Sequence, residues 1–209
     1  MTWTNAVGKA CGKLLHAIVH VMALARISPN VLTFMGLVIN VVAAFLFGYA
    51  AGDNQRRMFF YAGLVIFGAG FFDLVDGRVA RASNQVTRFG AFFDSVLDRY
   101  SDAALFFGLL VYYAHGNRSF YVVLTALVMI SAVMVSYTRA RAESLIGSCR
   151  VGFMERPERL VLIIIGALFN RMAPVLWVIA VLSTITVIHR MYYTWQRTRA
   201  MEASGAGSA

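Results

Sequence analysis

Four aspartates at the ends of two strongly apolar segments are the feature that most limits how this chain can fold. They are Asp73, Asp76, Asp94 and Asp98; an apolar segment precedes the first and another follows the last. A charged side chain inside a bilayer costs about 2.5–3.5 kcal/mol on insertion scales, so such residues face a bundle interior and have partners. A cation bound near the membrane surface accounts for all four carboxylates.

The spacing of the aspartates supports a shared cation site. Asp73 and Asp76 are three residues apart, and Asp94 and Asp98 are four apart, so each pair lies on one helix face. If residues 82–89 turn the chain back, two helices bring two acids each to one point. Such hard oxygen ligands suit Mg²⁺, Mn²⁺ or Ca²⁺. Because four carboxylates exceed the charge of one divalent ion, we predict a two-metal site.

Small and basic residues accompany the acids. Gly77 and Gly90 lack a Cβ where a phosphate or a facing helix must come close, and Arg81 can reach a phosphate bound at the metals. Interhelical Asp–Arg pairs, the purely structural alternative, explain neither the glycines nor the excess of acids.

The composition predicts an all-α integral membrane protein with one domain, residues 1–202. The chain has 209 residues, of which 59% are hydrophobic and 14% charged, whereas soluble domains carry about 25% charged residues. Apolar stretches of about 20 residues are long enough to cross a bilayer. We expect six transmembrane helices at about 31–51, 58–82, 88–113, 119–146, 158–170 and 173–195.

The two ends of the chain differ from the spans. Residues 4–25 place Lys9, Lys13, His16 and His20 on one polar stripe, which predicts an amphipathic helix lying on the membrane surface. Residues 203–209 are rich in Gly, Ser and Ala and predict a disordered tail. Cys11 and Cys149 form no metal-binding pattern, and we expect free thiols.

The distribution of basic residues predicts the topology. Of the 19 Lys and Arg residues, only Arg56, Arg57, Arg118 and Arg171 fall in the loops opposite the aspartates. The positive-inside rule therefore predicts a cell (inner) membrane protein whose motif and both termini face the cytoplasm. The formal charge of +9 fits cytoplasmic loops beside anionic lipid better than nucleic-acid binding.

The motif resembles the signature of the CDP-alcohol phosphotransferase family. The chain reads Asp73-x-x-Asp76-Gly77-x-x-Ala80-Arg81, eight residues, then Gly90-x-x-x-Asp94-x-x-x-Asp98, which matches every fixed position. The resemblance covers nearly the whole chain and, within the family, is to the bacterial phosphatidylinositol phosphate synthases. It implies that CDP-diacylglycerol donates a phosphatidyl group to inositol phosphate with release of CMP, and that the enzyme is a membrane homodimer.

The resemblance also implies roles for individual residues. Asp73, Asp76, Asp94 and Asp98 match ligands of two Mg²⁺ or Mn²⁺ ions, and Asp98 matches the catalytic base that takes the hydroxyl proton. The positions that match nucleotide-binding residues are Gly77, Arg81, Pro29, Asn30 and Thr33.

The acceptor site is predicted from residues 136–143 and 153–159. Ser136 and Arg139 share a helix face, and Arg156 stands at a helix start before Pro157. With Arg141 they form the predicted acceptor-binding set, although Arg139 and Arg141 point about 200° apart on a helix. Several arginines suit a phosphorylated acceptor. Relatives usually have Lys where this chain has Arg139.

Two other functions fit parts of the pattern. Glycerol 3-phosphate could be the acceptor, since it also has a phosphate, but it leaves the Glu-Arg-Pro-Glu-Arg segment at residues 155–159 unexplained. A divalent-cation transporter would also carry intramembrane acids, but it would distribute them along a route through the membrane.

Overall fold

The structure, a computed structural model, describes residues 28–82 and 87–206. Over these ranges it is helical, without strands. The helices are α1 (Pro29–Tyr49), α2 (Gln55–Ala82), α3 (Arg88–His115), α4 (Ser119–Ile146), α5 (Arg156–Leu168) and α6 (Met172–Ala206), with a 3₁₀ turn at Gly52–Asn54. The predicted surface helix at residues 4–25 lies outside the described residues.

The main helix contacts form a closed ring. Going round it, α1 packs on α2, α2 on α5, α5 on α6, α6 on α4, α4 on α3, and α3 again on α1. Sequence neighbours are therefore not always packing neighbours, since α2 contacts α5 and α4 contacts α6. Side chains from several helices can consequently meet inside the ring.

A close backbone approach holds α1 against α3. A Cβ added to Gly108 on α3 would lie 2.3 Å from the carbonyl oxygen of Ala44 on α1. Nothing larger than glycine fits there without moving one helix, so Gly108 sets the separation of this pair.

Aromatic packing fills the half of the ring away from the aspartates. The rings of Phe47, Phe59, Tyr112, Tyr113 and Tyr121 contact one another in series, with centroids 4.8–5.0 Å apart. This cluster joins α1, α2, α3 and α4 and belongs to the main apolar core. It leaves the other end of the ring to polar residues.

The start of α5 is defined by local hydrogen bonds. The backbone N–H of Glu155 donates to Glu158 Oε2 at 3.1 Å, and Pro157 occupies the first turn. These are the features of a capped helix start. They fix the backbone from which Arg156 extends.

Three helices are long and apolar enough to cross a membrane among the described residues: Asn30–Tyr49, Ser119–Ile146 and Met172–Ala203. The motif's charged residues interrupt α2 and α3, and α5 has only 13 residues, or about 20 Å. Among the described residues, length and apolarity therefore support three of the six predicted spans. Helix α6 also continues to Ala206, into the predicted disordered tail, because Ala and Glu at 200–203 favour helix.

Candidate active site

Arg156 joins the two aspartate-bearing helices. Its Nη1 lies 2.7 Å from Asp73 Oδ2 on α2 and 2.9 Å from Asp98 Oδ1 on α3. All three side chains are about four-fifths buried. The carboxylates of the two helices therefore converge on one positive charge at the polar end of the ring.

This donor set fits a divalent cation. Asp73 and Asp98 supply hard carboxylate oxygens, and Asp94, partly buried, stands one turn before Asp98 on α3. Among the described residues no three acids already stand at metal-ligand spacing, and the Arg156 guanidinium lies within ion-pair distance of two of them. The two carboxylates that contact this guanidinium therefore face a common point, where a cation could bind in its place.

A glycine of α1 makes room for the first aspartate. A Cβ on Gly36 would lie 3.0 Å from Asp73 Oδ1, so a larger residue would push this carboxylate away. Gly36 was not among the predicted site residues, because nothing in the sequence marks one α1 glycine as facing α2.

The predicted nucleotide-binding residues are described only in part. Asn30 reaches the start of α3, where its Oδ1 lies 3.4 Å from the position of a Cβ on Gly90. Thr87 caps the same helix start by accepting from the Gly90 N–H at 2.9 Å. Thr33 is buried one turn along α1. The side chains of Pro29, Asp76 and Arg81, and the surroundings of Gly77, lie outside the described part of the structure.

A polar cavity of about 140 Å³ adjoins the aspartates. It brings together three of the predicted acceptor residues, Ser136, Arg139 and Arg156, with the predicted base Asp98. The remaining lining residues are Arg99, Asp102, Val135, Glu155, Pro157 and Arg190. A ligand in this cavity would contact both the arginines and Asp98.

Ion pairs hold the arginines of the cavity in place. Arg139 donates to Glu143 at 3.1 Å and to Glu155 at 3.0 Å. Arg190, buried on α6, donates to Glu155 at 2.7 Å and to the carbonyl oxygens of Val151 and Val135. Arg190 and Glu155 thus tie the α4–α5 connection to α6 and orient Arg139.

Arg141 lies apart from this cavity. It is exposed and lines a separate surface depression with Tyr137, Leu145 and Met191. The difference follows from the angle of about 200° between positions 139 and 141 on a helix.

Sequence reasoning missed a second buried ion pair beside the aspartates. Asp102 and Arg159 are both buried and bonded to each other through Asp102 Oδ2 and Arg159 Nη2. Asp102 continues the row of Asp94 and Asp98 by one more turn, and Arg159 follows Arg156 by three residues. These intervals in the sequence could have indicated that Asp102 and Arg159 lie on the same helix faces as the site residues, but Asp102 falls outside the motif.

A family model for CDP-alcohol phosphatidyltransferases matches residues 26–189, which include α1 to α5 and α6 as far as the residue before Arg190. The chain belongs to the CDP-alcohol phosphatidyltransferase family. The protein is therefore an enzyme, as predicted, and family membership does not support the alternative of a cation transporter.

Two curated relatives cover most of the chain. An archaetidylinositol phosphate synthase of Pyrococcus horikoshii is 38% identical over 177 residues, 84% of this chain and 88% of the relative. A phosphatidylinositol phosphate synthase of Mycobacteroides abscessus is 34% identical over 188 residues, 86% of this chain and 83% of the relative. Both names refer to an inositol phosphate lipid.

Solved structures show the same fold. The Mycobacterium tuberculosis phosphatidylinositol phosphate synthase with CDP-DAG bound has a TM-score of 0.77 and 30% identity, covering 88% of this chain and 94% of that one. The same enzyme in complex with manganese and citrate has a TM-score of 0.76 and 31% identity, with coverages of 87% and 88%. Both agree with a helical membrane enzyme.

Proposed function

We propose that the protein transfers the phosphatidyl group of CDP-diacylglycerol to a hydroxyl of inositol phosphate and releases CMP. The observation that carries this proposal is the single cavity that joins Asp98 to Ser136, Arg139 and Arg156. It offers a proton acceptor and phosphate-binding groups within reach of one small molecule. The names of the relatives, which share inositol phosphate, support the acceptor, and a relative with CDP-DAG bound supports the donor.

The aspartates form the donor half of the proposed site. Asp73, Asp76, Asp94 and Asp98 would hold divalent cations, which we propose to be two Mg²⁺ or Mn²⁺ ions. When bound, such ions neutralise a pyrophosphate and the charge that develops on the leaving phosphate. A related structure that contains manganese supports the use of a divalent metal. Gly36 keeps Asp73 in position by leaving it space.

Residues at the start of α1 and the end of α2 form the proposed nucleotide site. Asn30 lies beside Gly90 at the N-terminus of α3, and the positive end of a helix dipole favours anions. Pro29, Thr33, Gly77 and Arg81 complete the site by their resemblance to family positions. The cytidine end of CDP-diacylglycerol would then lie away from the cavity, and the phosphorus on the lipid side would face the cavity.

The cavity forms the acceptor half. Arg139 is part-exposed and bonded to two glutamates, so it is held ready to bind a phosphate while remaining accessible. Ser136 adds a hydroxyl from the same helix face, and Arg156 supplies a second guanidinium. Asp98 accepts the proton of the attacking hydroxyl, because its carboxylate lines the same cavity.

We further propose a six-span topology in one domain, with residues 4–25 on the cytoplasmic membrane surface and a homodimeric assembly. The ring of six helices supports the spans, since α2, α3 and α5 pack within it beside three apolar helices. A fluorescent protein fused after Ala209 should fluoresce in cells, and a cysteine placed at Asn117 should react with an impermeant thiol reagent from outside. A cytoplasmic location of residue 117 contradicts the topology.

Product analysis tests the reaction. Purified protein in detergent, with CDP-diacylglycerol, inositol phosphate and Mg²⁺, should form phosphatidylinositol phosphate and CMP in equal amounts, measured by mass spectrometry and nucleotide chromatography. CMP without that lipid would contradict the proposed acceptor.

A further inference from the structure

We propose that Asp102, outside the aspartate motif, is a positioning residue that holds Arg156 in the acceptor cavity while Asp73 and Asp98 bind cations. The inference rests on the proposed function for its acceptor, but its contacts and its metal-binding test stand independently. It assigns a role to a buried acid that the motif does not include.

Asp102 and Arg156 have facing atoms that are not yet bonded. Asp102 Oδ1 lies 3.8 Å from Arg156 Nε. Both atoms are buried, and neither has a hydrogen-bond partner among the described residues. Buried polar atoms are seldom left unpaired, because each costs roughly 1–3 kcal/mol. A shift of less than 1 Å, judged from a normal bond length of about 2.9 Å, would satisfy both.

The other oxygen of Asp102 is fixed by Arg159. Asp102 Oδ2 accepts from Arg159 Nη2, and the two side chains are 7% and 1% exposed. This pair neutralises Asp102 and sets its orientation. Its remaining oxygen, Oδ1, is thereby aimed at Arg156 from a rigid position on α3.

Arg156 has two alternative sets of partners. In the structure, its Nη1 bonds Asp73 and Asp98 at 2.7 and 2.9 Å. A cation on these carboxylates removes both bonds and repels the guanidinium. Because Nε and Nη1 lie on different edges of the planar guanidinium, Arg156 can bond Asp102 through Nε and present its other N–H groups to the acceptor phosphate.

A purely structural role predicts a different outcome. If Asp102 serves only as the counterion of Arg159, then replacing the whole pair by uncharged residues should leave Arg156 unaffected. Substitution of a buried ion pair by residues of similar volume often preserves folding, whereas removing one partner strands a charge. The double variant Asp102→Asn/Arg159→Met is therefore the informative one, and it leaves the net charge near the metal ligands unchanged.

The kinetic test compares the two substrates. In the double variant the KM for inositol phosphate should rise about tenfold, the loss expected for a charge-assisted hydrogen bond that orients Arg156. At saturating Mg²⁺, which offsets any weaker metal binding, the KM for CDP-diacylglycerol should stay within about twofold, because the altered contact does not reach the nucleotide site. Asp102→Glu, which keeps a carboxylate opposite Arg159, should retain an acceptor KM closer to that of the unsubstituted protein than the double variant does. An unchanged acceptor KM in the double variant overturns the proposal.

The second test measures Mn²⁺ binding to the purified protein by electron paramagnetic resonance, without substrates. Loss of the carboxylate charge at position 102 weakens the alternative partner and should leave Arg156 on Asp73 and Asp98, so Mn²⁺ should bind about tenfold more weakly in the double variant. Arg156→Gln removes the competing guanidinium and should strengthen Mn²⁺ binding.

Combining these variants shows whether the Asp102 substitution alters Mn²⁺ binding through Arg156. In an Arg156→Gln background, the Asp102→Asn/Arg159→Met change should no longer weaken Mn²⁺ binding, since the residue that transmits it is gone. Equal weakening in both backgrounds contradicts the proposal. This result does not depend on the acceptor, so failure of inositol phosphate as a substrate would be distinguishable from failure of the Asp102 assignment.

Discussion

Arg156 donates to Asp73 across the interface of α5 and α2, with 2.7 Å between Nη1 and Oδ2. A residue expected to bind the acceptor is thus bonded to one expected to bind metal. The two halves of the proposed site are therefore adjacent and share Arg156. On the proposed assignments, a cation bound to Asp73 would compete with Arg156 for this carboxylate.

Removing a proposed metal ligand should abolish turnover. Asp73→Asn and Asp94→Asn should each lower kcat by about a hundredfold or more, because each takes a charged ligand from beside the pyrophosphate. The assay is CMP release at saturating substrates. Asp53→Asn, an exposed acid in the α1–α2 connection, is the matched control and should retain activity.

Chelation should reproduce the ligand variants. EDTA should stop CMP release, and excess Mg²⁺ or Mn²⁺ should restore it, because the carboxylates alone repel a pyrophosphate. Full activity in excess chelator would refute the metal-dependent part of the account.

Asp98→Asn separates binding from catalysis. We expect kcat to fall by about a thousandfold, within the range for general bases, while CDP-diacylglycerol still binds in a filter or thermal-shift assay. If donor binding falls as far as it does in Asp73→Asn, then Asp98 acts chiefly as a metal ligand.

Arg139 and Arg141 provide a matched pair on one helix. Arg139→Ala should raise the KM for inositol phosphate about ten- to a hundredfold, the loss of one charge-assisted bond to the phosphate. Arg139→Lys should keep substantial activity because it preserves the charge. Arg141→Ala, which alters the separate surface depression, should change this KM much less. Equal effects of the two alanine variants would place the acceptor elsewhere.

Gly108→Ala tests the packing of α1 on α3. The added Cβ would lie 2.3 Å from the Ala44 carbonyl oxygen, so the helices must separate at a cost of about 1–3 kcal/mol. The thermal midpoint in detergent should fall. Gly68→Ala on α2, where the new Cβ would have no atom of another described helix within 4 Å, should not lower it. Equal midpoints for both variants would contradict the close approach.

Local patterns in the sequence predict the helices well and their packing partners poorly. The predicted segment 119–146 coincides with α4, because polar residues at 115–118 and Gly147 bound one long apolar stretch. The α2–α5 and α4–α6 contacts that close the ring join residues far apart in the chain. Such contacts depend on which helix faces meet, and a single sequence does not contain that information directly.

The sequence predicts those site residues whose intervals along the chain place them on one helix face. The three- and four-residue intervals placed Asp73, Asp94 and Asp98 on faces that the structure brings toward Arg156. The same rule would have extended to Asp102, but burial of an acid one turn beyond a complete motif is visible only in the fold. Arg190 likewise appears in the sequence as one more basic residue at the end of a span, whereas the fold buries it beside Glu155.

The most direct test of the account is a competition between phosphorylated acceptors. Purified protein with CDP-diacylglycerol and Mg²⁺ is given inositol phosphate, glycerol 3-phosphate or unphosphorylated inositol, and kcat/KM is measured from CMP release. We predict a kcat/KM for inositol phosphate at least about a hundredfold above the other two, since inositol lacks the phosphate bound by Arg139 and Arg156 and glycerol 3-phosphate lacks the ring. A higher kcat/KM for glycerol 3-phosphate would contradict the account and identify a phosphatidylglycerol phosphate synthase.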